Sequence, residues 1–168
     1  MDNIVLIGMP GAGKSTIGVI LAKVLGMNFI DSDLLIQEQE GMLLKDIIKK
    51  EGQQGYIDIE NQVNRDISVK GTVIATGGSV VYCPEAMEHF RATSKVVYIK
   101  LSYDTISKRL GNIRQRGVVL RHDQTLLDLY KERIPLYEKY AHITVDAEGL
   151  GIEETMERIS MKVKDDLP

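Results

Sequence analysis

The chain has 168 residues, 43% of them hydrophobic and 27% charged, with a net charge of -3 at pH 7. That length gives one well-buried domain rather than two, the composition is that of an ordinary globular protein and excludes disorder, and the charge lacks the basic excess that nucleic-acid binding demands. The single cysteine, Cys83, excludes an intrachain disulfide and a cysteine metal cluster.

In chain order, strands are expected at 3–7, 28–30, 72–76, 95–100 and 142–146. Helices are expected at 14–25, 33–40, 43–51, 53–69, 84–93, 103–110, 123–141 and 152–163. The first strand, Asn3-Ile4-Val5-Leu6-Ile7, is a short, partly β-branched apolar run suited to burial on both faces. In the first helix Ile17, Ile20, Leu21, Val24 and Leu25 recur at helical spacing. Strands alternating with helices predict an α/β fold, a five-stranded parallel sheet with helices on both faces, as a single domain over 1–168. No run reaches the ~18 apolar residues of a spanning helix. The apolar start is broken at Gly8 and follows Asp2, unlike a signal peptide, so a cytoplasmic protein with no membrane partner is expected. No feature specifies an oligomeric state.

Between the first strand and first helix lies Gly8-Met9-Pro10-Gly11-Ala12-Gly13-Lys14-Ser15-Thr16, which fits G-x-x-x-x-G-K-[ST]. A strand, a glycine-rich turn and a helix start aim backbone N–H groups and a positive dipole end at one point, which binds polyphosphate. Gly11, Ala12, Gly13 and Thr16 belong to that cradle, Lys14 can reach the β/γ-phosphates, and the Ser15 hydroxyl can ligate Mg²⁺. With strand and helix both in place, a chance glycine turn is the poorer reading, and the chain is expected to bind a nucleoside triphosphate.

Other chemistry-bearing residues follow the strands, where ligands collect in such folds. Asp31 and Asp33 leave the second strand: one carboxylate can orient groups around Mg²⁺ and the other accept a proton from an attacking hydroxyl. The bland alternative makes Ser32 or Asp33 the N-cap of the next helix. Gly77-Gly78-Ser79 follows the third strand and is either a bulk-free turn or a place where backbone N–H groups approach a ligand. Residues 109–121 hold Arg109, Arg114, Arg116 and Arg121 with Gly111 and Gly117, and read as a basic flap over the phosphates or as a solvated helix end. Arg133 would most simply pair with Glu138 or bind solvent. His89, His122 and His142 lack metal-ligand spacing.

Taken together these segments resemble the shikimate kinase family, of the nucleoside monophosphate kinase-like P-loop group, over nearly the whole chain. Gly8–Thr16 resembles its Walker A loop, Phe29-Ile30-Asp31-Ser32-Asp33 its second-strand signature, and Gly77-Gly78 the start of its triple glycine. Arg116 is placed like its lid arginine, and Arg133 with Pro135-Leu136-Tyr137 resembles its carboxylate-binding helix. The resemblance implies a P-loop NTPase fold with a small lid near 111–122, and ATP-dependent phosphorylation of shikimate to shikimate 3-phosphate in the chorismate pathway of aromatic amino acid biosynthesis. It implies that Lys14 holds the ATP phosphates, that Ser15 and Asp31 organise Mg²⁺, and that Asp33 hydrogen-bonds the substrate hydroxyls as the base or an orienting group. It further implies that Gly77 and Gly78 offer amides to the substrate, that Arg116 bridges phosphate and substrate, that Arg133 binds a carboxylate, and that Arg109 lies near the adenine. The chain departs from the pattern at three places. Ile57 stands where the family usually has an arginine that helps clamp the substrate carboxylate, Ser79 replaces the third glycine, and Gly117-Val118-Val119 replaces Pro-Leu-Leu. Arg133 then binds the acceptor with a neighbour such as Arg121, His122 or Lys49, or the acceptor is a different small polyol or hydroxy acid. A nucleotide-binding regulatory module with reduced catalysis is the alternative from another class.

Overall fold

The computed structural model describes residues 3–111 and 120–166. Five strands, β1 (Asn3–Ile7), β2 (Asn28–Asp31), β3 (Thr72–Ala75), β4 (Ser94–Lys100) and β5 (Ile143–Asp146), form one sheet in the order β2-β3-β1-β4-β5. Every pairing is parallel. β1 lies at the centre, and all five of its residues are buried, as a strand covered on both faces requires. Parallel neighbours need crossovers, and the helices supply them. They are α1 (Lys14–Leu25), α2 (Ser32–Glu40), α3 (Leu44–Arg65), α4 (Pro84–Thr93), α5 (Tyr103–Leu110), α6 (Leu126–Tyr140) and α7 (Ile152–Asp165). α1 packs on α7, β2 and β3, whereas α3 packs on α4, and α4 and α6 pack on β4.

The expected strands and helices are present, with differences that have local causes. The two helices expected around Gly52 are the halves of α3, which meet at that residue in a non-helical conformation (φ 73°, ψ 176°). α6 begins at Leu126 rather than at Asp123, which is a left-handed turn residue (φ 67°). Thr125 caps the helix in a reciprocal box with Asp128, satisfying two end groups and fixing the start. Gly78–Tyr82 continues past the expected turn as a 3-10 helix. The cap of α2 is neither Ser32 nor Asp33 but Asp31, whose carboxylate accepts from the amides of Asp33 and Leu34. Cys83 is 1% exposed, with its thiol pushed up by burial, and so is the packing residue its isolation suggests. Among the described residues no helix is long and apolar enough to cross a membrane.

Candidate active site

The P-loop leaves the carboxyl end of β1 and feeds straight into α1. Gly8 adopts φ 151°, and a Cβ there would stand 2.8 Å from the Ile99 carbonyl oxygen, so no side chain fits. Gly13, at φ 89°, is the N-cap of α1 and provides no side-chain cap. The first intrahelical bond of α1 runs from Ile17 N–H to Gly13 O. The amides of Lys14, Ser15 and Thr16 therefore lack intrahelical partners, the condition for anion binding at a helix start. The Lys14 ammonium is buried and donates to the carbonyls of Gly8 (2.6 Å) and Met9 (2.8 Å). That uses two of its three donors. Burial, opposed by the charge of Asp33, lowers its pKa to about 8.

A cavity of about 400 Å³ opens over this loop. Its walls bring together Gly11, Gly13, Lys14, Ser15 and Thr16 with Asp33, Gly77, Gly78 and Arg133. Residues from four stretches of sequence thus face one space. Ser15 Oγ donates to Asp31 Oδ2 at 2.6 Å, while Oδ1 of the same carboxylate caps α2. This places one hydroxyl and one carboxylate at the mouth of the phosphate cradle. Among the described residues no three acidic, histidine or cysteine side chains cluster as a metal cage. Mg²⁺ is ordinarily held by one or two protein oxygens plus substrate phosphates and water, so this sparse pair suits it.

Asp33 sits in the first turn of α2 with Oδ1 buried and without a hydrogen-bond partner. Burial, with Asp31 nearby, pushes its pKa up to about 6, although Lys14 pulls the other way. The two glycines after β3 are explained by close approach rather than by turning alone. A Cβ on Gly77 would lie 2.5 Å from Asp33 Oδ1 and 3.0 Å from Glu60 Oε2. On Gly78 it would lie 2.7 Å from Pro10 Cδ and 2.8 Å from Arg133 Nη1. The strand end is thereby pressed between Asp33 and Glu60 on one side and Pro10 and Arg133 on the other.

Arg133 does not pair with Glu138, which lies 3.9 Å from Lys100 instead. It is 1% exposed, lies over the Tyr82 ring at 5.3 Å and interacts electrostatically with the Tyr82 and Tyr137 hydroxyls. Tyr137 in turn donates to the Gly78 carbonyl at 2.7 Å. Tyrosines from the 3-10 helix and from one turn along α6 therefore hold the guanidinium in place. Arg109 donates to the carbonyl of Gly11 at 3.1 Å, on the outer side of the P-loop. Arg114 and Arg116, with most of the 111–122 segment, lie outside the described residues.

Sequence reasoning missed Glu60. It lies on α3, fully buried, and accepts from Ser79 Oγ at 2.5 Å; its other oxygen, Oε2, faces Gly77 without a partner. Burial, countered by the Ser79 hydrogen bond, pushes its pKa up to about 8, so it is held neutral near pH 7. Ser79 is therefore the hydroxyl partner of an internal acid. The available signal was a glutamate at an otherwise apolar helix position beside Ile57 and Ile59. Tyr82, whose ring lies under the Arg133 guanidinium, was likewise missed.

A larger cavity, about 700 Å³, lies at the opposite end of the sheet, lined by Asn3, His89, Arg91 and Lys95 among others. Three of its basic side chains are engaged: His89 with the Ile67 carbonyl, Arg91 with the Tyr140 carbonyl, and Lys95 with Asp166. None of the chemistry described above faces it.

The shikimate kinase family model matches residues 10–164. The chain is 38% identical to the shikimate kinase of Thermodesulfovibrio yellowstonii, over 95% of this chain and 93% of that protein. It is 34% identical to that of Sulfurihydrogenibium sp., over 98% and 99% respectively. Among solved structures, shikimate kinase from Acinetobacter baumannii in complex with shikimate superposes with a TM-score of 0.90 at 31% identity, covering 100% of this chain and 96% of that one. With the phosphate cradle, the Asp33–Gly77 wall and the enclosed Arg133 already in one cavity, these matches place the chain in the shikimate kinase family, as a P-loop small-molecule kinase.

Proposed function

We propose that the protein transfers the γ-phosphoryl group of ATP to a hydroxyl of shikimate, giving shikimate 3-phosphate and ADP. The observation that carries this reading is that Lys14, Asp33 and Arg133 line a single cavity at the carboxyl ends of the strands. An anion binder, a proton acceptor and a carboxylate binder in that order are what a phosphoryl donor and a hydroxy acid require.

The unpaired amides of residues 14–16 and the third N–H of Lys14 hold the β- and γ-phosphates, with Gly11, Ala12 and Gly13 forming the turn around them. Arg109, braced on Gly11, flanks the nucleotide. Ser15 and Asp31 would hold Mg²⁺, which supplies charge neutralisation on the phosphates when bound. Arg133 anchors the acceptor through its carboxylate, and the amides of Gly77 and Gly78 meet its hydroxyls. Asp33 accepts the proton of the attacking hydroxyl as the O–P bond forms, a role suited to a carboxylate with a pKa of about 6. Arg116 would reach the transferring phosphoryl group. Positioning and electrostatics account for most of the acceleration in such a reaction.

The altered residues Ile57 and Ser79 favour a second reading, in which the acceptor is a different small polyol or hydroxy acid. ADP release measured with Mg-ATP and a panel of acceptors, with product mass, decides between the two. Shikimate turnover with a gain of one phosphoryl mass supports the first reading. Turnover only with another acceptor supports the second, and ATP binding without ADP release across the panel would point to a regulatory module.

A further inference from the structure

Ile57 lines a second cavity, of about 310 Å³, together with Tyr82, Arg121 and Glu132. Tyr82 links this space to Arg133, which lines the main site. Its ring lies beneath the Arg133 guanidinium, and its hydroxyl donates to Glu132 Oε1 at 3.0 Å. Arg121 grips the same carboxylate with both terminal nitrogens, Nη2 to Oε2 at 2.8 Å and Nη1 to Oε1 at 3.5 Å. A second guanidinium therefore already holds a carboxylate in fork geometry, one tyrosine ring away from the buried arginine.

We propose that Arg121 is a second substrate-binding cation, which meets the acceptor's carboxylate from the Ile57 side while Arg133 meets it from below. The proposal rests on the reading above that the acceptor is a hydroxy acid such as shikimate. Position selects Arg121 from the neighbouring cations. The His122 ring is 97% exposed beside Asp123, and Lys49 is exposed, whereas Arg121 and Ile57 line one space. Its present pairing does not lock it away. The Arg121 side chain is 66% exposed and Glu132 31% exposed, and ion pairs this wet are weak and exchange readily. An aliphatic residue at 57 also leaves the space without a competing cation, so a single guanidinium can enter it. The planar fork suits a carboxylate in two-point contact, which an ammonium cannot reproduce.

The test is steady-state kinetics of wild type, Arg121→Ala and Arg121→Lys with shikimate and with shikimate methyl ester at saturating Mg-ATP, each protein checked by thermal melting. Arg121→Ala should raise KM for shikimate about tenfold or more, as loss of a charge-assisted contact does, with KM for ATP within about twofold of wild type. Arg121→Lys should recover only part of that loss. The methyl ester, which lacks the anion, should be used poorly and equally by all three. An unchanged KM for shikimate in Arg121→Ala, or an equal loss on acid and ester, overturns the proposal while wild-type turnover of shikimate preserves the functional reading. No turnover of shikimate by wild type defeats that reading and this proposal with it.

Discussion

The two ends of the sheet differ in a way that cavity size does not predict. At the amino ends of the strands lies the larger space, about 700 Å³, yet no buried side-chain atom lining it lacks a partner among the described residues. At the carboxyl ends the space is smaller, about 400 Å³, and there Asp33 Oδ1 and Glu60 Oε2 are both buried, unpartnered and turned on Gly77. Leaving a buried polar group unsatisfied is costly, so a fold keeps such groups where a ligand will meet them or where they control a charge. Unmet chemistry, rather than volume, distinguishes the working end.

The largest effects should come from removing groups at that end. Asp33→Asn removes the carboxylate proposed to accept the proton while keeping the shape, and should lower kcat by about 10²–10⁴-fold. Lys14→Ala should cost about 10²–10³-fold by the same coupled assay, as loss of a charge-stabilising donor does. Normal turnover in Asp33→Asn would reduce the unpartnered oxygen to a packing accident. The free enzyme's kcat/KM should fall below about pH 6 as Asp33 protonates and above about pH 8 as Lys14 loses its proton.

Gly78→Ala should come next, because its methyl would press on Pro10 and on the Arg133 guanidinium. Displacing that guanidinium should raise KM for the acceptor about tenfold while ATP binding, measured by titration, changes less.

Glu60 gives a smaller effect, read as stability. Between its ordinary value of 4.5 and about 8 the folded protein keeps a proton that the unfolded chain has released. This contribution is complete below pH 4.5 and is lost as pH rises through 8. Wild type should therefore melt at falling temperature from pH 6 to 8, a window chosen to lie above the pKa of Asp33, and Glu60→Gln should melt with a flatter dependence. Equal slopes would show that Glu60 is ionised inside the fold. The smallest effect belongs to the other end. Lys95→Ala breaks a partly exposed ion pair with Asp166 and should change stability by under about 1 kcal/mol and leave kcat/KM unaltered. A loss of activity there would break the contrast.

Legibility in the sequence followed the range of the interactions. β1, α1, α4 and α5 fall where their patterns put them, because apolar period, proline and glycine act within a few residues. The P-loop is equally local, since its strand, turn and helix start are contiguous. α6 was misjudged at its start because two candidate beginnings lie three residues apart and only the Thr125–Asp128 box decides between them. Arg133 was misjudged from residues alone, because nothing in its own helix reveals that it is inside the protein; the family resemblance, not the spacing, pointed to a carboxylate.

By itself the sequence determined a nucleotide-binding α/β domain, since the G-x-x-x-x-G-K-S loop between an apolar strand and an amphipathic helix aims free amides and a lysine at a polyphosphate. Only the tertiary structure decided the acceptor side. Glu60 and Ser79 are 19 residues apart and Tyr137 and Gly78 are 59 apart, and they meet because the order β2-β3-β1-β4-β5 folds their crossovers over one end of the sheet. Separations of that size leave no periodic trace in the chain, so the partners of a buried acid or arginine emerge only once the helices that carry them are packed.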